Sequence, residues 1–298
     1  MTGAALDGQG RPPGFERVEI PVGEEVFDGL ASGPADGELV LLLHGFPQSS
    51  WQWRWQLSAL GDAGYRAVAP DQRGYSPRAR PEEVARYRVD HLAADALAMA
   101  DWLGGHQFHA VGHDFGAVVA WHVAGRYPDR LRSLTAVSVP HPMAVAEAMA
   151  SSTGDQLARS SYIALFGAPE IPERLLLADE GAGLRALFAN TAYSDREAME
   201  RYVARLLEPG ALTAALNWYR AIDPAVVTSV EPVTAPTLFV WSTEEPAIGR
   251  EAAEACAAHV AGPYRFEVLE GVSHWIPEDA PEELNRLLVE HLSAARSG

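Results

Sequence analysis

Five residues, Gly112-His113-Asp114-Phe115-Gly116, constrain this chain more than any others, because they close a strand signature and open a helix signature. Gln107 to Val111 reads as a short strand, and Ala117 to Arg126 has the composition of a helix. A turn that joins the two over so few residues must be sharp. The flanking glycines allow the close backbone approach it needs, and the central side chain is then exposed above the carboxyl end of a parallel strand. The usual pattern for such a turn is G-x-S-x-G. Here the centre is an aspartate, which changes the chemistry available.

The surrounding sequence predicts an α/β fold. Leu39 to Leu43 is a continuous apolar run, as expected of a strand buried on both faces. Further strands are expected at Arg17 to Val22, Glu25 to Ala31, Arg66 to Ala69, Phe108 to Gly112, Leu134 to Val139, Thr237 to Trp241 and Arg265 to Leu269. Helices are expected between them: Trp53 to Gly61, His91 to Leu103, Ala117 to Arg126, Gly249 to Val260 and Pro281 to Ala295. In the second, Leu92, Ala96, Met99 and Leu103 share a face. Such alternation implies a mostly parallel central sheet flanked by helices. It breaks after Val139, and the chain to about Asp223 is helical in character. The expected organisation is a core of residues 15–140 and 225–298 interrupted by a helical cap, 141–224, lying over the carboxyl ends of the strands. Residues 1–14 are small, polar and proline-containing, and are expected to lack order.

Composition narrows the function. A net charge of -17 opposes binding to nucleic acid or to an anionic membrane. No apolar run reaches the length of a membrane span, and the N-terminus lacks a secretory signal pattern. The single cysteine, Cys256, excludes an intramolecular disulfide and sits in an alanine-rich segment that suits packing. A cytoplasmic enzyme acting on a small molecule is expected. His106, His109 and His113 span a strand and a turn with no supporting carboxylate or cysteine pattern, so no metal is expected.

Four features stand at expected strand ends: His44-Gly45-Phe46-Pro47, Asp114, the Glu244-Glu245 pair and His274. Their order, nucleophile, acid, histidine, suits a base oriented by an acid. A serine attacking saturated carbon would give an ether that water does not readily cleave. A carboxylate gives an ester, whose acyl carbon an activated water can attack while backbone N–H groups, those of Phe46 and Phe115, hold the oxyanion. Displacement at sp3 carbon followed by ester hydrolysis fits epoxides and alkyl halides. A halide needs N–H donors, from a tryptophan or asparagine beside the nucleophile and the Phe46 loop, and both places hold phenylalanine. A haloacid would want an arginine where Phe115 and Val118 stand. An epoxide oxygen needs an acid, and the cap segment contains Tyr162, Tyr193, Tyr202 and Tyr219.

These motifs resemble those of the epoxide hydrolases of the α/β-hydrolase fold. The elbow is similar to that family's G-H-D-W-G, HGFP to its H-G-x-P loop, and GVSHW to its base segment, with similarity over nearly all of residues 17–294. The resemblance implies a cofactor-independent hydrolase that opens an epoxide to a vicinal diol through an ester on Asp114. It implies His274 as the general base, Glu245 as the triad acid with Glu244 as its neighbour and rival, and Tyr162 (in SYIALF) and Tyr219 (in NWYR) as the ring-opening acids. The sequence departs from the pattern at Phe115, where tryptophan is usual, and at Glu245, where aspartate is usual. Pro47, His113 and Trp275 adjoin the motifs and are expected on the substrate pocket, as is His44; the alternative for His44 is to brace the Phe46 loop, and for His113 to pack the elbow. Two other readings stand beside this one. The same Asp114 could serve a haloalkane or haloacid dehalogenase, or a triad drifted at Glu245 could leave a small-molecule-binding protein. Oligomeric state has no signature in the sequence.

Overall fold

A computed structural model describes residues 15–296 except 152, 153, 190–192 and 194. Residues 1–14 therefore lie outside the described residues. Eight strands form one sheet: β1 (Glu16–Val22), β2 (Glu25–Ser32), β3 (Leu39–Leu43), β4 (Arg66–Pro70), β5 (Phe108–His113), β6 (Leu131–Val137), β7 (Thr237–Glu244) and β8 (Tyr264–Ser273). Their order is β1-β2-β4-β3-β5-β6-β7-β8. The pairs from β4 to β8 are parallel, and β1 and β2 join as an antiparallel edge. The edge hairpin turns at Gly23, which has φ +60 and a conformation costly for other residues.

The side-chain period of two divides the apolar run of β3 between two cores. Leu41 and Leu43 face one core, with Leu92, Ala96 and Trp121, and Val40 and Leu42 face the other, with Leu57, Leu284 and Leu288. Fully burying each such leucine contributes about 2 kcal/mol. Helices α2 (Val89–Trp102) and α3 (Phe115–Arg126) cover the first face; α1 (Arg54–Asp62) and α13 (Pro281–Arg296) cover the second. The expected α2 face is the observed one: Leu92, Ala96 and Met99 are buried, and Leu103 packs beside them.

Several boundaries differ from expectation. β6 stops at Val137 because Ser138 turns to φ +68 and donates its N–H to Val240 O at 2.8 Å. The helix after β7 is only α11 (Arg250–Ala255), and its continuation, Cys256–His259, tightens to a 3-10 turn. β8 runs to Ser273, which carries the chain directly to His274.

Between β6 and β7 lie α4 (Pro142–Ala150), α5 (Gln156–Arg159), α6 (Tyr162–Gly167), α7 (Ile171–Ala189, kinked at 178–181), α8 (Arg196–Leu206), α9 (Ala211–Arg220) and α10 (Pro224–Val227). The helical segment thus ends three residues beyond 224, at Val227. After β8 comes the short α12 (Ile276–Asp279). Polar ties fasten the cap to the core. Arg54 bonds Asp195 at 2.8 Å and also Glu278, Tyr202 donates its hydroxyl to Glu278 at 2.8 Å, and Arg80 meets Glu208 at 2.9 Å. Cap residues 193 and 202 are therefore not interchangeable with 162 and 219: Tyr202 is buried against Phe188, Tyr193 and Trp275, with its hydroxyl on Glu278.

The chain passes from β3 through α1 to β4 on one side, then returns to place β5 on the other side of β3. Strand order therefore reverses at β3. In open α/β sheets ligands bind at such a switch point, beyond the carboxyl ends of the strands. His44 to Pro47 follow β3 there, and Asp114 follows β5.

Candidate active site

Asp114 sits at φ +53, ψ −124, a conformation that costs a non-glycine residue about 1–3 kcal/mol and needs its surroundings to enforce it. The surroundings do so. β5 ends at His113 and α3 begins at Phe115, so the whole reversal falls on one residue. Its N–H donates to Val137 O at 3.3 Å and its carbonyl accepts from Ala117 N at 3.0 Å. The glycines are compulsory for packing. A Cβ at Gly112 would lie 2.3 Å from Gly116 O, and one at Gly116 would lie 2.1 Å from Leu43 O. Gly45 is constrained by the carboxylate itself: its Cβ would stand 2.2 Å from Asp114 Oδ1.

The two carboxylate oxygens have different surroundings. Oδ1 accepts the backbone N–H of Phe46 at 2.9 Å, while Oδ2 lies 3.5 Å from His274 Nε2. Burial pushes the Asp114 pKa upward, but the hydrogen bond and charge of His274, with the Phe115 backbone N–H, outweigh it, and the group stays below the usual value. The N-terminus of α3 adds its dipole in the same sense.

His274 Nδ1 meets Glu245 Oε2 at 2.6 Å. Glu245 is 3% exposed, and its other oxygen accepts the Ala247 N–H at 2.8 Å, so both are satisfied. Glu244 ends β7 and is exposed. Of the two glutamates, Glu245 is the one brought to the histidine. Burial alone would lower the His274 pKa; the carboxylates of Glu245 and Asp114 overcome it and hold the imidazole up to about 10. The His274 carbonyl accepts from Ser138 Oγ at 2.9 Å and from His113 Nε2 at 2.9 Å. Ser138 carries no motif in the sequence. Only its left-handed backbone, a product of tertiary structure, turns its hydroxyl toward the His274 carbonyl.

Two cavities meet at Asp114. One, of about 460 Å³, is walled mainly by aliphatic side chains, among them Val118, Val145, Met149 and Ile222. The other, of about 270 Å³, is walled by Phe46, Pro47, Phe166, Trp275, His274 and Arg159. Asp114, Tyr162, Tyr219 and Ala247 border both. The two tyrosine rings stand 6.2 Å apart, and Tyr219 packs edge-on against Phe46 and Phe115. Burial first, and then the Asp114 charge, push both phenols far above their ordinary pKa, so each remains a protonated hydroxyl.

Pro47 and Trp275 border the smaller cavity. His44 and His113 do not, and their assignment to the pocket wall is corrected. His44 is fully buried, its Nδ1 on Gly45 O at 3.0 Å and its Nε2 accepting from Gln72 N at 3.0 Å, which braces the Phe46 loop. His113 is fully buried beneath His274, and burial together with the His274 charge lowers its pKa to about 3. It is a neutral donor to the His274 backbone. Trp51 and Trp53 are buried, and Trp55 is partly exposed. His109 is occupied by Ser133 Oγ at 2.7 Å. Cys256 is buried and burial pushes its thiol up to about 11, consistent with packing.

Residues 38–281 match the model of a family described as alpha/beta hydrolase fold. The chain is 37% identical over 272 residues to the AB hydrolase superfamily protein YfhM of Bacillus subtilis, which covers 88% of this chain and 92% of that protein. It is 33% identical over 270 residues to epoxide hydrolase 4 of Mus musculus, covering 88% of this chain and 75% of the relative. Among solved structures, epoxide hydrolase A from Mycobacterium thermoresistibile superposes with a TM-score of 0.83 at 28% identity, over 94% of this chain and 98% of that one. No helix among the described residues is long and apolar enough to cross a membrane.

Proposed function

We propose, for a chain that belongs to the epoxide hydrolases of the α/β-hydrolase fold, that Asp114 opens a small-molecule epoxide and His274 directs water against the resulting ester. The observation that carries this reading is the division of labour on one carboxylate at the junction of two cavities: Oδ1 on the Phe46 N–H, Oδ2 facing His274.

Oδ2 attacks a ring carbon and the C–O bond breaks toward oxygen. The hydroxyls of Tyr162 and Tyr219 hydrogen-bond that oxygen, and one supplies its proton. A buried tyrosinate beside carboxylates is strongly disfavoured, so the phenol is reprotonated. The proton comes from the base. Esterification removes the Asp114 charge that helps to keep His274 protonated, the imidazole becomes less basic, and the proton it loses balances the one the alkoxide gains. Neutral His274, oriented by Glu245, then takes a proton from water as the water oxygen attacks Cγ. Charge develops on Oδ1, already seated on Phe46 N–H beside the Phe115 N–H, so the donors need no rearrangement. Collapse releases the diol with Oδ2 in it, the remaining proton of the water passing to the departing alkoxide, which restores the carboxylate beside the imidazolium already formed.

The short His274–Glu245 bond supports an intact triad over a drifted binding site. The paired tyrosines over Asp114 support an epoxide oxygen over a halide as leaving group. The test is His274→Gln with excess epoxide. Intact-protein mass spectrometry is expected to show a stable adduct on Asp114; unmodified protein, with wild-type turnover confirmed, overturns the reading.

A further inference from the structure

A glutamate in the acid position poses a geometric problem. Its side chain is one methylene longer than aspartate, about 1.5 Å, so the backbone that carries it must stand farther from the histidine. The structure contains a device at this point. Helix α5, in the cap, lies across the 245–249 loop. Gln156 is 1% exposed and clasps the loop with both amide atoms: Nε2 donates to Ala247 O at 2.9 Å, and Oε1 accepts from Gly249 N at 2.8 Å. Ser160 Oγ, 2.9 Å from the same Nε2, fixes the amide orientation. Three residues along the chain, Arg159 Nη1 donates to Glu245 O at 2.9 Å and Pro246 O at 3.2 Å. Its Nε is anchored on Asp155 at 2.7 Å. The fit is close, since a Cβ on Gly249 would stand 2.8 Å from Asp155 Oδ1.

We infer that Gln156 and Arg159 are positioning residues for the triad acid, holding the 245–249 loop at the stand-off from which a glutamate, and not an aspartate, reaches His274. The cap therefore takes part in the base machinery as well as in forming the pocket. The inference rests on the proposed role of Glu245 and adds to it a prediction about coupling. With the strap intact, Glu245→Asp leaves the carboxylate short of His274. With the strap cut, the loop is free to move inward, and the shorter acid is penalised less.

The test separates the two half-reactions by mass spectrometry, following formation and decay of the Asp114 ester on the full chain. Gln156→Leu is expected to slow ester decay about tenfold while ester formation stays within about twofold, a split that general loosening of the fold would not give. Glu245→Asp is expected to slow decay about 100-fold in the wild-type background and less than about tenfold in Gln156→Leu. Equal penalties in both backgrounds, or no effect of Gln156→Leu on decay, overturn the inference. If Gln156→Leu does not fold, the half-exposed Arg159 decides. Arg159→Met is expected to slow decay and Arg159→Lys to restore part of it; no difference between them from wild type overturns the strap. Glu245→Gln reports on the underlying reading. If it leaves decay unchanged, the role of Glu245 fails; if it slows decay while the strap variants do not, the strap alone fails.

Discussion

The Phe46 backbone N–H reaches Asp114 Oδ1 at 2.9 Å only because Gly45, next to it, carries no side chain. The carboxylate fills the space a Cβ would need. This contact joins the loop after β3 to the turn after β5, across the point where strand order reverses.

Gly45→Ala therefore tests how far the reaction depends on Oδ1 being seated. The added methyl would stand 2.2 Å from Oδ1 and 2.3 Å from Asp114 Cβ, so the carboxylate or the loop must move. Decay of the Asp114 ester is expected to slow by about 10²–10³-fold, the usual cost of losing an oxyanion donor. Stability is expected to fall by about 1–3 kcal/mol. Rapid-quench mass spectrometry and chemical denaturation measure the two. Near-wild-type decay in a folded variant would show that the Phe46 N–H does not act on the intermediate.

The tyrosines should affect the other half-reaction. Tyr162→Phe and Tyr219→Phe each leave one hydroxyl at the cavity, so each is expected to slow ester formation about 10-fold to 100-fold. The double variant should slow it more, toward the 10⁴ end of the range for a general acid. Decay of preformed ester should stay within about threefold. If decay slows as much as formation, the rings serve to shape the site and not to donate.

Much of this was legible in the sequence for physical reasons. A central strand buried on both faces must be apolar throughout, as Leu39 to Leu43 is, and a one-residue reversal must be flanked by glycine, as Asp114 is. Those constraints are local. The acid was harder to read, since Glu244 and Glu245 are adjacent and alike in sequence. The strand pleat and the turn that follow decide which one is buried, and that depends on β7 and β8 pairing with a bulge between Ser242 and Glu244. For His44 and His113 the motifs left two places open, the pocket wall or the packing beneath it, for a related reason. Each follows its strand's direction into the core beneath the site, whereas the motif gives only their position along the chain. Ser138, Gln156 and Arg159 act through backbone atoms distant in sequence, and no pattern of residue types marks them.

The loop that carries His274 can be probed at Ser138. Its hydroxyl is one of two donors to the His274 carbonyl, His113 being the other. Ser138→Ala leaves one donor in place, so a cost of about 1 kcal/mol in stability is expected. The larger effect should be on ester decay, where the imidazole must be held against the attacking water, whereas in ester formation it only gives up a proton. Equal slowing of both half-reactions would place Ser138 in the fold alone.

The raised pKa of His274 makes a prediction about stability and pH. The folded value of about 10 lies above the ordinary 6.5, so the folded protein binds this proton more tightly than the unfolded chain does. The stabilisation is complete below about 6.5 and is lost as pH rises through about 10. His274→Gln cannot take the proton. The stability difference between wild type and His274→Gln, from denaturation curves, should therefore favour wild type most below pH 6.5 and shrink steadily toward pH 10. A difference independent of pH over that interval would mean that Asp114 and Glu245 do not hold the imidazole charged.

The cavities make a separable prediction about substrates. Val118 stands one turn into α3 and borders only the larger, aliphatic cavity, while Asp114 borders both. A phenylalanine there would occupy part of the 460 Å³ without touching the 270 Å³ side. An epoxide with a long alkyl substituent must use the larger cavity to place its ring carbon at Oδ2, whereas a small terminal epoxide need not. Val118→Phe is expected to lower kcat/KM for the long substrate about tenfold or more and to leave the small one within about threefold, since a pocket discriminates mainly through the volume it denies. Equal losses on both would mean that the substitution disturbs the elbow, and the two-cavity account of substrate placement would fail with it.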